Sequence, residues 1–129
     1  MSSNVRPRVL CVDYNQDCRE MLVSLLGSLL IEAKHVATAE QALSLFQNEH
    51  FNLYLLDSRL PDLDGFELCR RMRHLDPHTP ILFFSGDAYE ADKQKGIEAG
   101  ANAYVSKPDI DGLIGTIWNY ISQAGTAAA

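Results

Sequence analysis

The chain has 129 residues and a mass of 14.4 kDa, which is the size of one ordinary domain and leaves no room for two. Hydrophobic residues make up 47% of it and charged residues 22%, a balance typical of a folded globular protein and not of a disordered one. Acidic residues number 17 and basic residues 11, so the net charge is −6. This charge argues against direct binding to nucleic acid or to an anionic membrane.

The cysteines and the N-terminus indicate the cellular compartment. Cys11, Cys18 and Cys69 are odd in number and lie inside apolar segments, which predicts buried thiols in a reducing environment. The stretch Met1–Arg8 has no apolar run, so no signal peptide is expected. We therefore expect a cytoplasmic protein.

Short apolar runs alternate five times with segments of helical periodicity. In chain order, the predicted strands are Val9–Val12, Ala33–Ala37, Phe51–Leu56, Ile81–Phe84 and Asn102–Ser106. The predicted helices cover about Cys18–Leu29, Thr38–Phe46, Gly65–Leu75, Glu90–Ala99 and Ile110–Ser122, and Asn15 or Asp17 caps the first of them.

This alternation predicts the fold class. Most of the strands are apolar throughout, as a sheet covered on both faces requires, and the connections are short. The predicted architecture is α/β, a (βα)5 doubly wound parallel five-stranded sheet of the flavodoxin-like type. One domain should cover residues 8–123, with flexible tails at residues 1–7 and 124–129.

Four polar residues directly follow, or end, four of the predicted strands. In the common strand order 2-1-3-4-5, Asp13 and Asp57 end neighbouring strands, and Ser85 and Lys107 end the fourth and fifth. Each alone is readily explained as a turn or capping residue. Together they lie at the one edge where this architecture binds ligands. A carboxylate there can accept a phosphoryl group, with Mg²⁺ and a lysine neutralising charge.

Several short motifs in this order carry a resemblance. They are Val12-Asp13, Arg19-Glu20, Leu55-Leu56-Asp57, Leu60 to Gly65, Phe84-Ser85-Gly86, Gly100-Ala101 and Ala103 to Pro108. In this spacing they resemble the receiver domain of two-component response regulators, over about Arg8–Gln123. The resemblance implies a phosphorelay signalling domain rather than a conventional enzyme, either standing alone or as part of a longer regulator or kinase.

The resemblance also implies roles for individual residues. Asp57 would accept a phosphoryl group from a phosphohistidine on a histidine kinase or a histidine phosphotransfer protein. Lys107 would contact that group, Ser85 would move to bond it, and the rotamer of Tyr104 would follow Ser85. The peptide bond between Lys107 and Pro108 would be cis.

The implied Mg²⁺ site departs from the family pattern. Its ligands would be Asp13, Asp57 and the backbone carbonyl of Arg59, but the family usually has a second acid where this chain has Tyr14. Loss of one negative charge removes about 4 kcal/mol of attraction at 4 Å and an effective dielectric of 20, before desolvation is subtracted. The sequence therefore predicts weak Mg²⁺ binding and slow phosphorylation, while tolerance of Tyr14 stays open.

Other functions remain as alternatives. Tyr14 is the sequence support for a pseudo-receiver, a binding module without metal-dependent phosphorylation. An aspartyl phosphatase would need a second aspartate at the position of Arg59. A flavin mononucleotide carrier would need a loop rich in small hydroxyl residues and glycine after the first strand, where residues 13–16 are acidic and bulky.

Partner surfaces follow from the resemblance alone. The phosphorylated partner would dock around Gln16–Met21 and Lys107–Asp109, and an unknown downstream protein would contact the region of Tyr89, Tyr104 and Trp118. The helical spacing of Trp118 equally fits a core residue.

Overall fold

The computed structural model describes the backbone of residues 5–128 and the side chains through Ser122. Its strands are β1 (Arg8–Val12), β2 (Glu32–Val36), β3 (Leu53–Leu56), β4 (Ile81–Ser85) and β5 (Ala103–Ser106). Its helices are α1 (Gln16–Ser28), α2 (Ala39–Asn48), α3 (Gly65–Leu75), α4 (Glu90–Glu98) and α5 (Ile110–Ala128).

The strands form one parallel sheet in the order β2-β1-β3-β4-β5, which confirms the predicted fold class and strand order. The registers of the central strands place Val12 beside Leu56 and Leu56 beside Phe83. Consequently β1, β3 and β4 end close together, and the residues that follow them share one edge of the sheet.

The core lies on both faces of the sheet, because successive strand residues point to opposite sides. In β1, Leu10 and Val12 pack on the side of α2 and α3, while Val9 and Cys11 pack on the side of α1 and α5. Every residue of β3 and β4 is buried. This explains why β3 and the part of β4 before Ser85 are hydrophobic, while the exposed edge strand β2 is not.

Helix α5 is longer than the sequence predicts, since it continues from the expected end near Ser122 to Ala128. Residues 124–128, predicted as a flexible tail, therefore belong to this helix. Three of these five residues are alanine and no proline interrupts them, so the helix can continue through Gly125. The remaining tail residues 1–4 and 129 lie outside the described part of the chain.

Two side chains are less buried than the sequence predicts. Trp118 is 37% exposed on α5, so the core interpretation of this residue is wrong. Cys18 is only partly buried on α1, whereas Cys11 and Cys69 are buried as predicted. Across residues 5–128, no helix has the length and apolarity needed to cross a membrane.

Candidate functional site

Three charged side chains from three loops meet at the carboxyl edge of the sheet. The Nζ atom of Lys107, which follows β5, lies 2.8 Å from Oδ2 of Asp13 and 3.3 Å from Oδ2 of Asp57. The residues Asp13 and Asp57 directly follow β1 and β3. One ammonium group thus bridges two carboxylates, as the positions of these residues at the strand ends predict.

Burial and charge oppose each other in this cluster. Burial raises the pKa of Asp57, and the charge of Asp13 adds to this, while Lys107 acts to lower the pKa without fully compensating. Burial on its own would lower the pKa of Lys107, but its hydrogen bond to Asp13 and the charges of Asp57 and Asp13 raise it instead. Lys107 is therefore a permanent cation at neutral pH, beside a carboxylate whose ionised form is destabilised by the fold.

This imbalance predicts that Asp57→Asn stabilises the protein at pH 7, raising the unfolding temperature by a few degrees Celsius. Because the pKa of Asp57 is raised by folding, its contribution to stability is full below the unfolded pKa and is lost as pH rises through the folded pKa. A neutral amide avoids that loss. The measurement is thermal unfolding of both proteins from pH 3 to pH 8.

The stabilisation should shrink as pH falls, because the wild-type carboxyl then becomes neutral as well. The matched control is Asp17→Asn, at an exposed carboxylate in the first turn of α1. A gain for Asp57→Asn that is equal at pH 3 and pH 8, or absent at both, would contradict the assigned burial cost.

The loop after β1 contributes one carboxylate, that of Asp13, to the pocket, and its next residue is Tyr14. Tyr14 is 62% exposed and brings no carboxylate to it. Oδ1 of Asp13 accepts the backbone N–H of Asn15 at 2.9 Å. Nη1 of Arg19 donates to the backbone carbonyls of Asp13 and Tyr14 at 2.9 and 3.0 Å. Hydrogen bonds from the protein therefore already orient this loop.

The donor set suits a hard divalent cation, with a small number of protein ligands. Carboxylate and carbonyl oxygens are what Mg²⁺ prefers, and one or two carboxylates commonly suffice with water. Asp13 and Asp57 supply two carboxylates that one ammonium group already holds together. Among the side chains of residues 5–122, no group of three or more acidic, histidine or cysteine residues gathers in a metal-binding arrangement. The residues thus fit Mg²⁺ with one acid fewer than the family pattern.

Ser85, at the end of β4, makes its hydrogen bonds to residues other than Asp57. Its Oγ lies 2.6 Å from Oγ of Ser58 and accepts the backbone N–H of Asp87 at 3.0 Å. Oγ of Ser58 donates to Oδ2 of Asp87 at 2.7 Å. The structure therefore brings Ser85 to the same edge, but its hydrogen bonds run to Ser58 and Asp87.

Arg59 and Asp87 form an ion pair across the mouth of the site. Nε of Arg59 lies 2.8 Å from Oδ2 of Asp87, and Nη2 lies 2.8 Å from Oδ1, so the contact is bidentate. The guanidinium of Arg59 and the hydroxyl of Ser58 lower the pKa of Asp87 to about 2. The hydroxyl of Tyr104, on β5, donates to the backbone carbonyl of Asp87.

Sequence reasoning missed Ser58 and Asp87 as members of the site. A signal for the ion pair was present, since Arg59 follows Asp57 by two positions and Asp87 follows Ser85 by two positions. Opposite charges at matching offsets beyond two neighbouring strands predict a cross-loop ion pair. The peptide bond between Lys107 and Pro108 is cis, as expected.

Fold and site together define a flavodoxin-like α/β domain with an acidic pocket at the carboxyl edge of its sheet. The family described as the response regulator receiver domain matches residues 9–117. The chain therefore belongs to this family, whose members are parts of two-component regulatory systems.

Curated relatives include longer proteins. The chain is 36% identical over 103 residues to the probable transcriptional regulator ycf27 of Cyanophora paradoxa, covering 80% of this chain and 43% of that protein. It is 31% identical over 108 residues to the sensor histidine kinase RcsC of Escherichia coli K12, covering 84% of this chain and 11% of that protein. The chain thus spans less than half the length of these relatives.

Solved structures agree with the fold. The CheY-like receiver domain protein of Methanospirillum hungatei JF-1 superposes with a TM-score of 0.89 at 29% identity, covering 95% of this chain and 99% of that one. The BeF3-activated DrrB receiver domain superposes with a TM-score of 0.84 at 27% identity, covering 92% of this chain and 99% of that one.

Proposed function

We propose that this chain is a phosphoryl-accepting receiver, in which Asp57 takes a phosphoryl group from a phosphohistidine. The observation that carries this proposal is the position of the Asp57 carboxylate. Its side chain is 13% exposed, beside the ammonium group of Lys107 and at the edge of the sheet where open α/β folds bind ligands. A partly accessible carboxylate can reach a phosphorus atom, whereas a sealed one could not.

The transfer reaction requires a nucleophile, Asp57, and a cation, Lys107, that remain next to each other throughout. One oxygen of Asp57 forms a bond to phosphorus while the bond from phosphorus to the imidazole nitrogen breaks. The imidazole leaves with that electron pair and takes up a proton. Lys107 contacts Asp57 before transfer and faces the phosphoryl oxygens after it, where its charge offsets theirs.

The response to phosphorylation passes through β4 and β5. Ser85, which is 1% exposed, donates its hydroxyl proton to a phosphoryl oxygen once the group is present. Tyr104 then changes its hydrogen bond to the backbone of Asp87, which alters the surface around β5. The affected loop after β4 leads into Tyr89, which is 81% exposed and available to a downstream protein.

Mg²⁺ would be held by the carboxylates of Asp13 and Asp57 and by the backbone carbonyl of Arg59. When bound, it supplies positive charge that neutralises phosphoryl oxygens. Without a carboxylate at Tyr14, we expect weak binding. The proximity of Lys107 to both acids supports this expectation, because the ammonium group and the metal ion repel each other.

The biological role we propose is that of a signalling module, not an enzyme with a separate substrate. The phosphoryl donor is a histidine kinase or a histidine phosphotransfer protein, docking near Gln16–Met21 and Lys107–Asp109. Three free thiols support a cytoplasmic location. The net charge of −6 supports output by protein contact rather than by direct nucleic-acid or membrane binding.

A second candidate function is a pseudo-receiver that binds partners without metal-dependent phosphorylation. The exposed Tyr14, which brings no acid to the pocket, is the observation that favours it.

Incubation of the wild-type protein with acetyl phosphate separates the two candidates. The receiver should gain the mass of one phosphoryl group by intact mass spectrometry, and Mg²⁺ should increase the occupied fraction. Because weak Mg²⁺ binding is expected, the phosphorylated fraction should continue to rise as Mg²⁺ is increased and should not reach a plateau at low metal concentration. A protein that gains no mass at any Mg²⁺ concentration would be a pseudo-receiver.

A further inference from the structure

The carboxylate of Asp87 orders the hydroxyl protons beside the candidate site. Oγ of Ser58 lies within hydrogen-bond distance of both Ser85 and Asp87. The carboxylate of Asp87 can only accept a hydrogen bond, so Ser58 donates its single hydroxyl proton to Asp87. Ser85 must therefore be the donor to Ser58, in the 2.6 Å contact between the two hydroxyl oxygens.

This arrangement holds Ser85 from two sides. Its hydroxyl donates to Ser58 and accepts from the backbone N–H of Asp87. Both serines are buried, at 1% and 4% exposure, so water is not available as a substitute partner. A buried donor that loses its acceptor is destabilised by the lost hydrogen bond. The hydrogen bond from Ser85 to Ser58 is therefore energetically favoured in the unphosphorylated protein.

The far end of the hydrogen-bond chain is held by charge. Arg59 contacts both carboxylate oxygens of Asp87, and it comes from the loop after β3, whereas Asp87 comes from the loop after β4. A bidentate contact fixes the orientation of the carboxylate as well as its position. The carboxylate consequently presents Oδ2 to Ser58.

We propose that Ser58, Arg59 and Asp87, which we name the Asp87 clamp, are positioning residues that keep the Ser85 hydroxyl turned away from Asp57. This rests on the proposed function, because it concerns the partner that Ser85 acquires after phosphorylation. To donate to a phosphoryl oxygen, Ser85 must give up its bond to Ser58. The clamp thereby stabilises the unphosphorylated state and weakens the response to a phosphoryl group.

The first test is a titration with beryllofluoride, a phosphoryl mimic, in saturating Mg²⁺, followed by backbone amide signals in NMR. Ser58→Ala and Asp87→Ala should each bind it about fivefold more tightly than the wild type, the equivalent of one net hydrogen bond. Arg59→Ala should gain only about twofold, because the Arg59 side chain is 83% exposed and its ion pair is screened. Arg71→Ala, which breaks an exposed ion pair on α3, is the control and should show no gain.

The second test separates positioning from a general structural effect. If the clamp acts through Ser85, then Ser58→Ala should give no gain in a Ser85→Ala background. An equal gain in both backgrounds would overturn the proposal, and so would unchanged or weaker binding by Ser58→Ala and Asp87→Ala. Failure of the wild type to bind beryllofluoride through Asp57 would instead contradict the proposed function.

A third measurement tests the clamp in the protein without any phosphoryl mimic. In Ser58→Ala the Ser85 hydroxyl loses Ser58 as its acceptor, so NMR relaxation dispersion should detect increased microsecond-to-millisecond exchange at the amides of residues 85–87. The same amides in Arg71→Ala should match the wild type. Unchanged exchange in Ser58→Ala would overturn the proposal whether or not Asp57 is phosphorylated.

Discussion

Asp57→Asn should abolish the phosphoryl adduct, reducing the occupied fraction by at least about a hundredfold. The amide has nearly the same shape as the carboxylate but lacks the nucleophilic oxygen that forms the acyl phosphate. The fold should survive, because the ionised carboxylate is the form that burial disfavours at this position. The measurement is intact mass after incubation with acetyl phosphate and Mg²⁺.

The matched control is Asp17→Asn, which changes an exposed carboxylate close to the same edge of the sheet. This variant should keep the wild-type adduct. An undiminished adduct in Asp57→Asn would place the chemistry on another residue, and the role assigned to Lys107 would then be wrong as well.

Tyr14→Asp should tighten Mg²⁺ binding by about tenfold or more. A new carboxylate about 4 Å from the metal contributes about 4 kcal/mol per unit charge pair at an effective dielectric of 20, before desolvation is subtracted. Each 1.4 kcal/mol that remains is worth about tenfold in affinity. Tyr14 is exposed, so an aspartate can replace it without disturbing the core. Isothermal titration calorimetry with Mg²⁺ measures the change.

Tyr14→Asn is the control for that prediction, since it replaces the ring with a polar side chain of the size of aspartate but no charge. It should leave the affinity near that of the wild type. If Tyr14→Asn and Tyr14→Asp bind Mg²⁺ equally, the missing charge is not the reason for weak binding. If the wild type already binds as tightly as Tyr14→Asp, the site tolerates Tyr14.

The parts of the fold that sequence predicts are those governed by burial. Every residue from Leu53 to Leu56 is apolar because both faces of β3 are covered, and Asp57 follows directly where the chain leaves the core. That switch from apolar to charged marks the end of the strand and the ligand-binding edge at once. Strand order alone does not predict the contact between Lys107 and Asp13, because β3 and β4 lie between β1 and β5, and the long lysine side chain makes it.

The parts that sequence reasoning does not reach depend on side-chain geometry across loops. In the sequence, Ser58 looks like an ordinary turn residue. Only the structure shows that the end of β3 lies beside the end of β4, where Ser58 contacts Ser85 and Asp87. Likewise, helical spacing places Trp118 toward the core, but this residue of α5 stays 37% exposed. Helical periodicity predicts which way a side chain points, but not how much of it the neighbouring residues cover.

Chemical trapping of the phosphorylated protein identifies the residue that carries the phosphoryl group. Borohydride reduces an acyl phosphate of aspartate to homoserine, which peptide mass spectrometry locates in the chain. After treatment with acetyl phosphate and Mg²⁺, we predict homoserine at residue 57 and an unmodified Asp13. Homoserine at position 13, or phosphorylated protein with no homoserine at residue 57, would rule out Asp57 as the phosphoryl acceptor.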